Sequence, residues 1–239
     1  MMSDGWWPNA ARKPSPNADE RPVGERILLI VLHHISLPAG TFTGDAIERL
    51  FLNTLDPQDW PRHAALRVSA HFLIRRGGQT TQFVDIWRRA WHAGVSCWRG
   101  RERCNDFSVG IELEGDAPTP FTDAQYDTLN ALLGWLHQAT GVRSLSTHSE
   151  IAAGRKIDPG PCFDFSRLLP PPGETLEEAA IGVKRKTHGA QRPRHNSELG
   201  EGASTVQRSD SPTQPVIQRF PASSAYPPPD TVQCDRWHI

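Results

Sequence analysis

No stretch of this 239-residue chain approaches the roughly 20 apolar residues of a membrane-spanning helix. The start, MMSDGWWPNAARKP, also lacks the basic residues and apolar run of a signal peptide. A cytoplasmic protein is therefore expected. An excess of either charge is missing too: 26 Lys+Arg stand against 27 Asp+Glu, for a net charge of −1. That gives no electrostatic footprint for nucleic acid or an anionic membrane, and neither is expected as a partner. Cysteine is scarce. Cys97, Cys104, Cys162 and Cys234 show no CxxC spacing, which fits free thiols better than a disulfide framework or a zinc knuckle. Internal repeats are absent. What is present is 37% hydrophobic residues and eight tryptophans, enough for one well-buried domain plus an extension.

In chain order, residues 1–26 are polar and carry Pro8, Pro14, Pro16 and Pro22, the composition of an extended arm on the domain surface. Ile27–Leu32, ILLIVL, is a short, branched, continuously apolar run, as a fully buried central strand requires. Asp45–Leu55 places Ile47, Leu50, Phe51 and Leu55 at helical spacing. Val68–Ile74 and Thr80–Val84 are strand-like around Gly77-Gly78, where a tight hairpin turn is expected. The aperiodic stretch 90–105, with tryptophans, glycines and arginines, suggests a functional loop. In Phe107–Gly115, Phe107, Val109, Ile111 and Leu113 alternate with Ser108, Gly110, Glu112 and Glu114, so both acids share a strand face. A capping box at Thr122–Gln125 opens a helix that runs to Gly141. Leu145–Thr147 supplies a last short strand. Residues 171–239 are rich in Ser, Gln and Pro and poor in branched apolar residues, so a disordered tail is expected there, beyond a domain over 27–170.

The chemistry concentrates in THSEIAAGRKIDPGP, residues 147–161. His148 and Asp158 are ten apart, and Gly154, Pro159, Gly160 and Pro161 forbid one long helix, so the loop must fold back to join them. A divalent metal gives a reason for the fold-back. Imidazole and carboxylate are ordinary zinc ligands, and a catalytic site takes three protein ligands and leaves one position open. The third is sought at the end of the first strand, where His33 and His34 must face opposite ways unless the strand breaks. His71 competes, although a strand histidine hydrogen-bonded near the site is the simpler reading. A carboxylate on a rigid strand beside the metal is a natural general base. Periodicity does not choose between Glu112 and Glu114, nor exclude a solvated strand face.

The stretches LHHISLPAGTF, LRVSAHFLIRRGG, AWHAGVS, GRERCNDFSVGIELEG, FTDAQY and THSEIAAGRKIDPGPCFD, in this order over residues 5–169, resemble the AmpD family. These are cytoplasmic zinc amidases that cleave 1,6-anhydro-N-acetylmuramyl-L-alanine in cell-wall recycling. The resemblance implies an α/β fold with a mixed central sheet flanked by helices, like the peptidoglycan-recognition domains. It puts the Zn2+ ligands on His33, His148 and Asp158, the acid at the water on Glu112 and the transition-state lysine on Lys156. His34 departs from the family's asparagine beside the metal, at a place able to touch substrate, and the tail has no family counterpart. Cys162 is a rival ligand by analogy with related amidases, although its register after DPGP suits a structural thiol.

The chemistry of the residues agrees with that expectation. Zinc held by two histidines and an aspartate brings water to a pKa near ~7; Glu112 would move the proton, and zinc and Lys156 would stabilise the oxyanion. Arg67, Trp91, His92 and Arg103 are the expected contacts to the anionic muropeptide, through guanidinium–carboxylate pairing and aromatic stacking on sugar. A monomer is expected. The alternatives are an exported-type amidase acting on intact murein and a non-catalytic peptidoglycan-binding module.

Overall fold

Branched apolar runs become the centre of a mixed sheet in the structure, a computed structural model that describes residues 4–169. The expected tail, 171–239, lies outside the described residues, as does Cys234. The chain forms β1 (Ala11–Arg12), β2 (Ala18–Glu20), β3 (Leu29–Ile35), α1 (Ala46–Phe51), β4 (Phe72–Ile74), β5 (Thr80–Gln82) and β6 (Arg88–Ala90). There follow β7 (Cys97–Trp98), β8 (Arg101–Glu102), β9 (Ser108–Glu114), α2 (Asp123–Thr140), β10 (Ser144–Thr147) and α3 (His148–Ile151). Six strands make one sheet in the order β1-β5-β4-β9-β3-β10. All its neighbours are parallel except the β4–β5 hairpin, whose turn uses Gly78 at φ +82°. The pairs β2–β6 and β7–β8 are separate antiparallel ribbons.

Alternation along the strands sorts the core into two layers. Ile30, Leu32, Phe72, Ile74, Val109, Ile111 and Leu113 pack on one face against Tyr126, Leu129, Leu132 and Leu136 of α2. That helix begins at the expected Thr122–Gln125 capping box and ends at Gly141 in the left-handed conformation. On the other face, Leu73 packs with Ile47, Leu50 and Phe51 of α1, and Leu29 and Val31 pack with Ala93, Cys104 and Ile151. Between these two apolar patches lie His33, Ser108, Gly110, Glu112 and Glu114.

Four expectations change. The first strand does not stop at Leu32, because His33, His34 and Ile35 continue the ladder opposite Glu112, Leu113 and Glu114 of β9. Phe107 leaves the strand pattern: it ends a 3-10 turn, Cys104–Phe107, and packs beside Leu29 and Val31. The polar face of β9 is not solvated, since Ser108 and Glu114 are buried with only Glu112 partly open.

The N-terminal arm is extended, but it is built into the domain rather than laid over it. Its β1 forms an edge of the sheet, and Trp7 is 5% exposed in the α2-side core. Truncating a buried tryptophan of this kind costs about 3–5 kcal/mol. Gln82 latches the arm, accepting the Trp7 N–H (2.7 Å) and donating to the Gly5 carbonyl (2.7 Å). Arg21 donates to the carbonyls of Ile86, Asn105, Asp106 and Ser108, tying the arm to the start of β9. Proline content suggested a surface arm because it reports the backbone and not the partners. Among the described residues no helix is long and apolar enough to cross a membrane.

Candidate metal and catalytic site

Local sequence sets each side chain before the fold joins them. His33 is carried by β3, 1% exposed, and the parallel ladder places Glu112 of β9 at its side. His148 is the first residue of α3, whose N-cap Thr147 accepts the Glu150 N–H (3.1 Å) while the Glu150 carboxylate accepts the Thr147 N–H (3.3 Å). The sequence T-H-S-E is thus itself a capping box that aims His148. The fold-back is closed by the Ser149 N–H donating to the Asp158 carbonyl (3.0 Å). Arg155 ties this loop to the neighbouring one through the carbonyls of Ala93 (2.8 Å) and Val95 (2.6 Å).

His33 Nδ1, His148 Nδ1 and Asp158 Oδ2 converge, with separations of 2.9, 3.1 and 2.9 Å. They are the one group of this kind among the described residues. His148 Nε2–H donates to the Ala93 carbonyl (3.1 Å), which leaves the Nδ1 lone pair for the centre. Burial pushes His33 down to about 4, against an opposing pull from Asp158, so it is neutral at pH 7. Burial alone would raise the Asp158 carboxyl, but the His148 and His33 rings set against it hold it well below the usual carboxylate range. Neutral imidazole lone pairs beside a carboxylate repel unless a cation joins them. Tetrahedral zinc with bonds of about 2.0–2.1 Å spaces its ligands by about 3.3 Å, so this donor set fits the ion.

The two strand acids have different fates. Glu114 pairs with Arg75, which also holds Glu48, and accepts the Arg76 N–H (3.0 Å). Glu112 has a buried Oε2 with no hydrogen-bond partner. Burial raises its carboxyl well above the ordinary range, and the Asp158 charge adds to this while Lys156 opposes it.

Arg67, Trp91, His92, His148, Arg155 and Lys156 line a cleft of about 220 Å³. Two expected substrate contacts are not brought to it. His34 points to the opposite sheet face, as strand alternation requires, and engages the Pro159 carbonyl (3.0 Å), steadying the loop that carries Asp158. Arg103 is 71% exposed and pairs with Asp106 across its own 3-10 turn. His71 accepts the Gly110 N–H at Nδ1 (3.0 Å) and donates from Nε2 to the Arg88 carbonyl (3.1 Å), so it offers no lone pair to a metal. Cys162 is a half-buried free thiol outside the cluster. No local sequence pattern singles out Arg155 or Asn105. Asn105 receives the N–H groups of His92 and Ala93 at its Oδ1 (3.1 and 2.8 Å), and only its place in the loop 90–105 hinted at this.

The buried histidines give a pH dependence. His71, driven down to about 3 by burial, and His33 stay neutral when folded but take a proton near ~6.5 when unfolded. The unfolded state then binds more protons, so stability is full above about pH 6.5 and lost as pH falls toward 4, by up to ~1.4 kcal/mol per pH unit for each histidine. Urea unfolding of metal-free protein between pH 7.5 and 4.5 checks this; a flat profile would contradict it.

The chain is also similar to known proteins. A family profile described as N-acetylmuramoyl-L-alanine amidase matches residues 23–161. The 1,6-anhydro-N-acetylmuramyl-L-alanine amidase AmpD of Escherichia coli (strain K12) is 50% identical over 173 residues, covering 70% of this chain and 94% of the relative. The AmpD of Enterobacter cloacae is 49% identical over 173 residues, covering 70% and 92%. The crystal structure of a selenomethionine AmpD derivative matches with a TM-score of 0.67 at 49% identity, covering 70% of this chain and 96% of that one. The chain belongs to the AmpD family of N-acetylmuramoyl-L-alanine amidases and is an amidase of that class.

Proposed function

We propose that this amidase is a zinc enzyme of cell-wall recycling, acting in the cytoplasm on muropeptides whose N-acetylmuramic acid carries the 1,6-anhydro ring. The bond cut joins the muramyl lactyl group to L-alanine. One observation carries the reading: the triangle of His33 Nδ1, His148 Nδ1 and Asp158 Oδ2 stands beside a carboxylate oxygen of Glu112 that has no partner.

Held by His33, His148 and Asp158, zinc would supply Lewis-acid activation of water and of the amide carbonyl. Glu112 takes a proton from the attacking water and returns it to the alanine nitrogen as the C–N bond breaks, leaving a lactyl carboxylate and a free amine. Its raised affinity for a proton suits the second step. Lys156, on the cleft wall, presents an ammonium to the oxygen on which negative charge develops. Arg67 and Arg155 make one wall cationic for peptide carboxylates, and half-buried Trp91 offers a stacking face to a sugar.

A binding module has no use for a buried carboxylate oxygen without a partner, which disfavours the non-catalytic alternative. The remaining choice lies in the sugar. Discrimination by packing and hydrogen bonds leaves polar groups unpaired on a mismatch, at factors on the order of 10³ in kcat/KM. The test is kcat/KM on anhydro and reducing-end muramyl tripeptides side by side, with intact murein as a third substrate. A strong preference for the anhydro form is expected; comparable rates on all three would remove the recycling assignment and keep the amidase.

A further inference from the structure

A metal ligand that binds through Nδ1 must carry its proton on Nε2, and something has to hold it there. His33 Nε2 lies 2.9 Å from His92 Nδ1, His92 Nε2 lies 3.2 Å from Ser108 Oγ, and Ser108 Oγ lies 2.5 Å from the Cys104 carbonyl oxygen. We propose that His92 and Ser108 form a directional hydrogen-bond relay that locks the Nε2–H tautomer of His33, making both of them positioning residues for the metal rather than contacts to substrate.

The direction follows from the far end. A carbonyl oxygen only accepts, so the Ser108 hydroxyl donates to Cys104 and its lone pair accepts the His92 Nε2–H. His92 Nδ1 is then a lone pair, and the bond to His33 can form only with the proton on His33 Nε2. The His33 Nδ1 lone pair is left facing His148 and Asp158. Running the chain the other way would put two oxygens 2.5 Å apart with no proton between them.

The surroundings are built for this arrangement. His92 and Ser108 are buried, so water does not compete for their bonds. A Cβ at Gly110 would lie 2.4 Å from His92 Cγ, so the absent side chain on β9 makes the seat for the ring. The Asn105 side chain fixes the backbone on either side of the His92–Ala93 peptide. Because both ring nitrogens of His92 are engaged, the ring has none to offer a substrate, although it lines the cleft.

This inference rests on the metal reading, and its test separates the two. Long-range ¹H–¹⁵N spectra of uniformly labelled full-length protein, metal-free and zinc-loaded, report each imidazole tautomer. In both states His92 is expected with its proton on Nε2 and an acceptor Nδ1; a proton on His92 Nδ1 would overturn the relay whether or not zinc binds. Competition with a chelator then gives the zinc affinity of Ser108→Ala and His92→Phe. Losses of about 10–100-fold, with unchanged circular dichroism, are expected of groups that orient a ligand. Wild-type affinity in both variants would overturn the proposal. Failure of the unmodified protein to bind zinc would instead sink the metal reading, with the His92 tautomer still deciding the relay.

Discussion

Alanine at His33, His148 or Asp158 will cost the protein its metal and nearly all of its turnover, whereas His34→Ala and His71→Ala will retain a full complement. The three atoms that converge belong to the first group alone. Each removal leaves two protein ligands, fewer than a catalytic zinc site uses. Losing His34 frees the Pro159 carbonyl and loosens the loop, and losing His71 strands the Gly110 N–H, but neither change takes a lone pair from the centre. Metal content after dialysis, paired with turnover of the anhydro-muramyl tripeptide, is the measurement. Chelator treatment of the unmodified protein should abolish turnover and added zinc restore it. Equal metal loss in His34→Ala would show that the strand presents the other histidine to the ion.

The second large effect separates chemistry from architecture on one strand face. Glu112→Gln and Lys156→Ala will keep metal and fold yet lose roughly 10²–10⁴-fold in kcat, the range for a general acid–base or an oxyanion donor. Glu112→Gln should also raise the melting temperature of the metal-free protein at neutral pH. The sign follows from linkage: the folded state holds the Glu112 proton more tightly than the unfolded state does. Its stabilising contribution is present at low pH and lost as pH rises toward the raised folded value, and a neutral amide escapes that loss. Glu114→Ala will do the reverse. It takes one of two carboxylate partners from Arg75, which keeps Glu48, and strands the Arg76 N–H, at about 1–3 kcal/mol, while chemistry continues at permissive temperature. An inactive Glu114→Ala beside an active Glu112→Gln would mean that the register of β9 against β3 is misread.

Legibility in the sequence followed the range of the interaction. β3, α1, α2 and the β4–β5 hairpin stood out because apolar period, caps and glycine turns act within a few residues. The capping box over Thr147–Glu150 was equally local, and only its overlap with the loop motif hid it. Prolines predict a surface position for the N-terminal arm because they act locally, whereas Trp7 finds its place through Gln82, which is 75 residues away.

Sequence by itself determined the inventory: buried strands too apolar to stand alone, a helix bounded by its own caps, and His148 and Asp158 on a loop that glycine and proline force back on itself. Only the tertiary structure decided which of two adjacent histidines and which of two alternating acids face the centre. That choice depends on the register of β3 against β9 and on which face α2 covers, and neither is written in a two-residue period. The same holds for His92. Its proton is oriented by a serine 16 residues away and by a glycine whose missing side chain leaves room for the ring, relations that exist only once the sheet has formed.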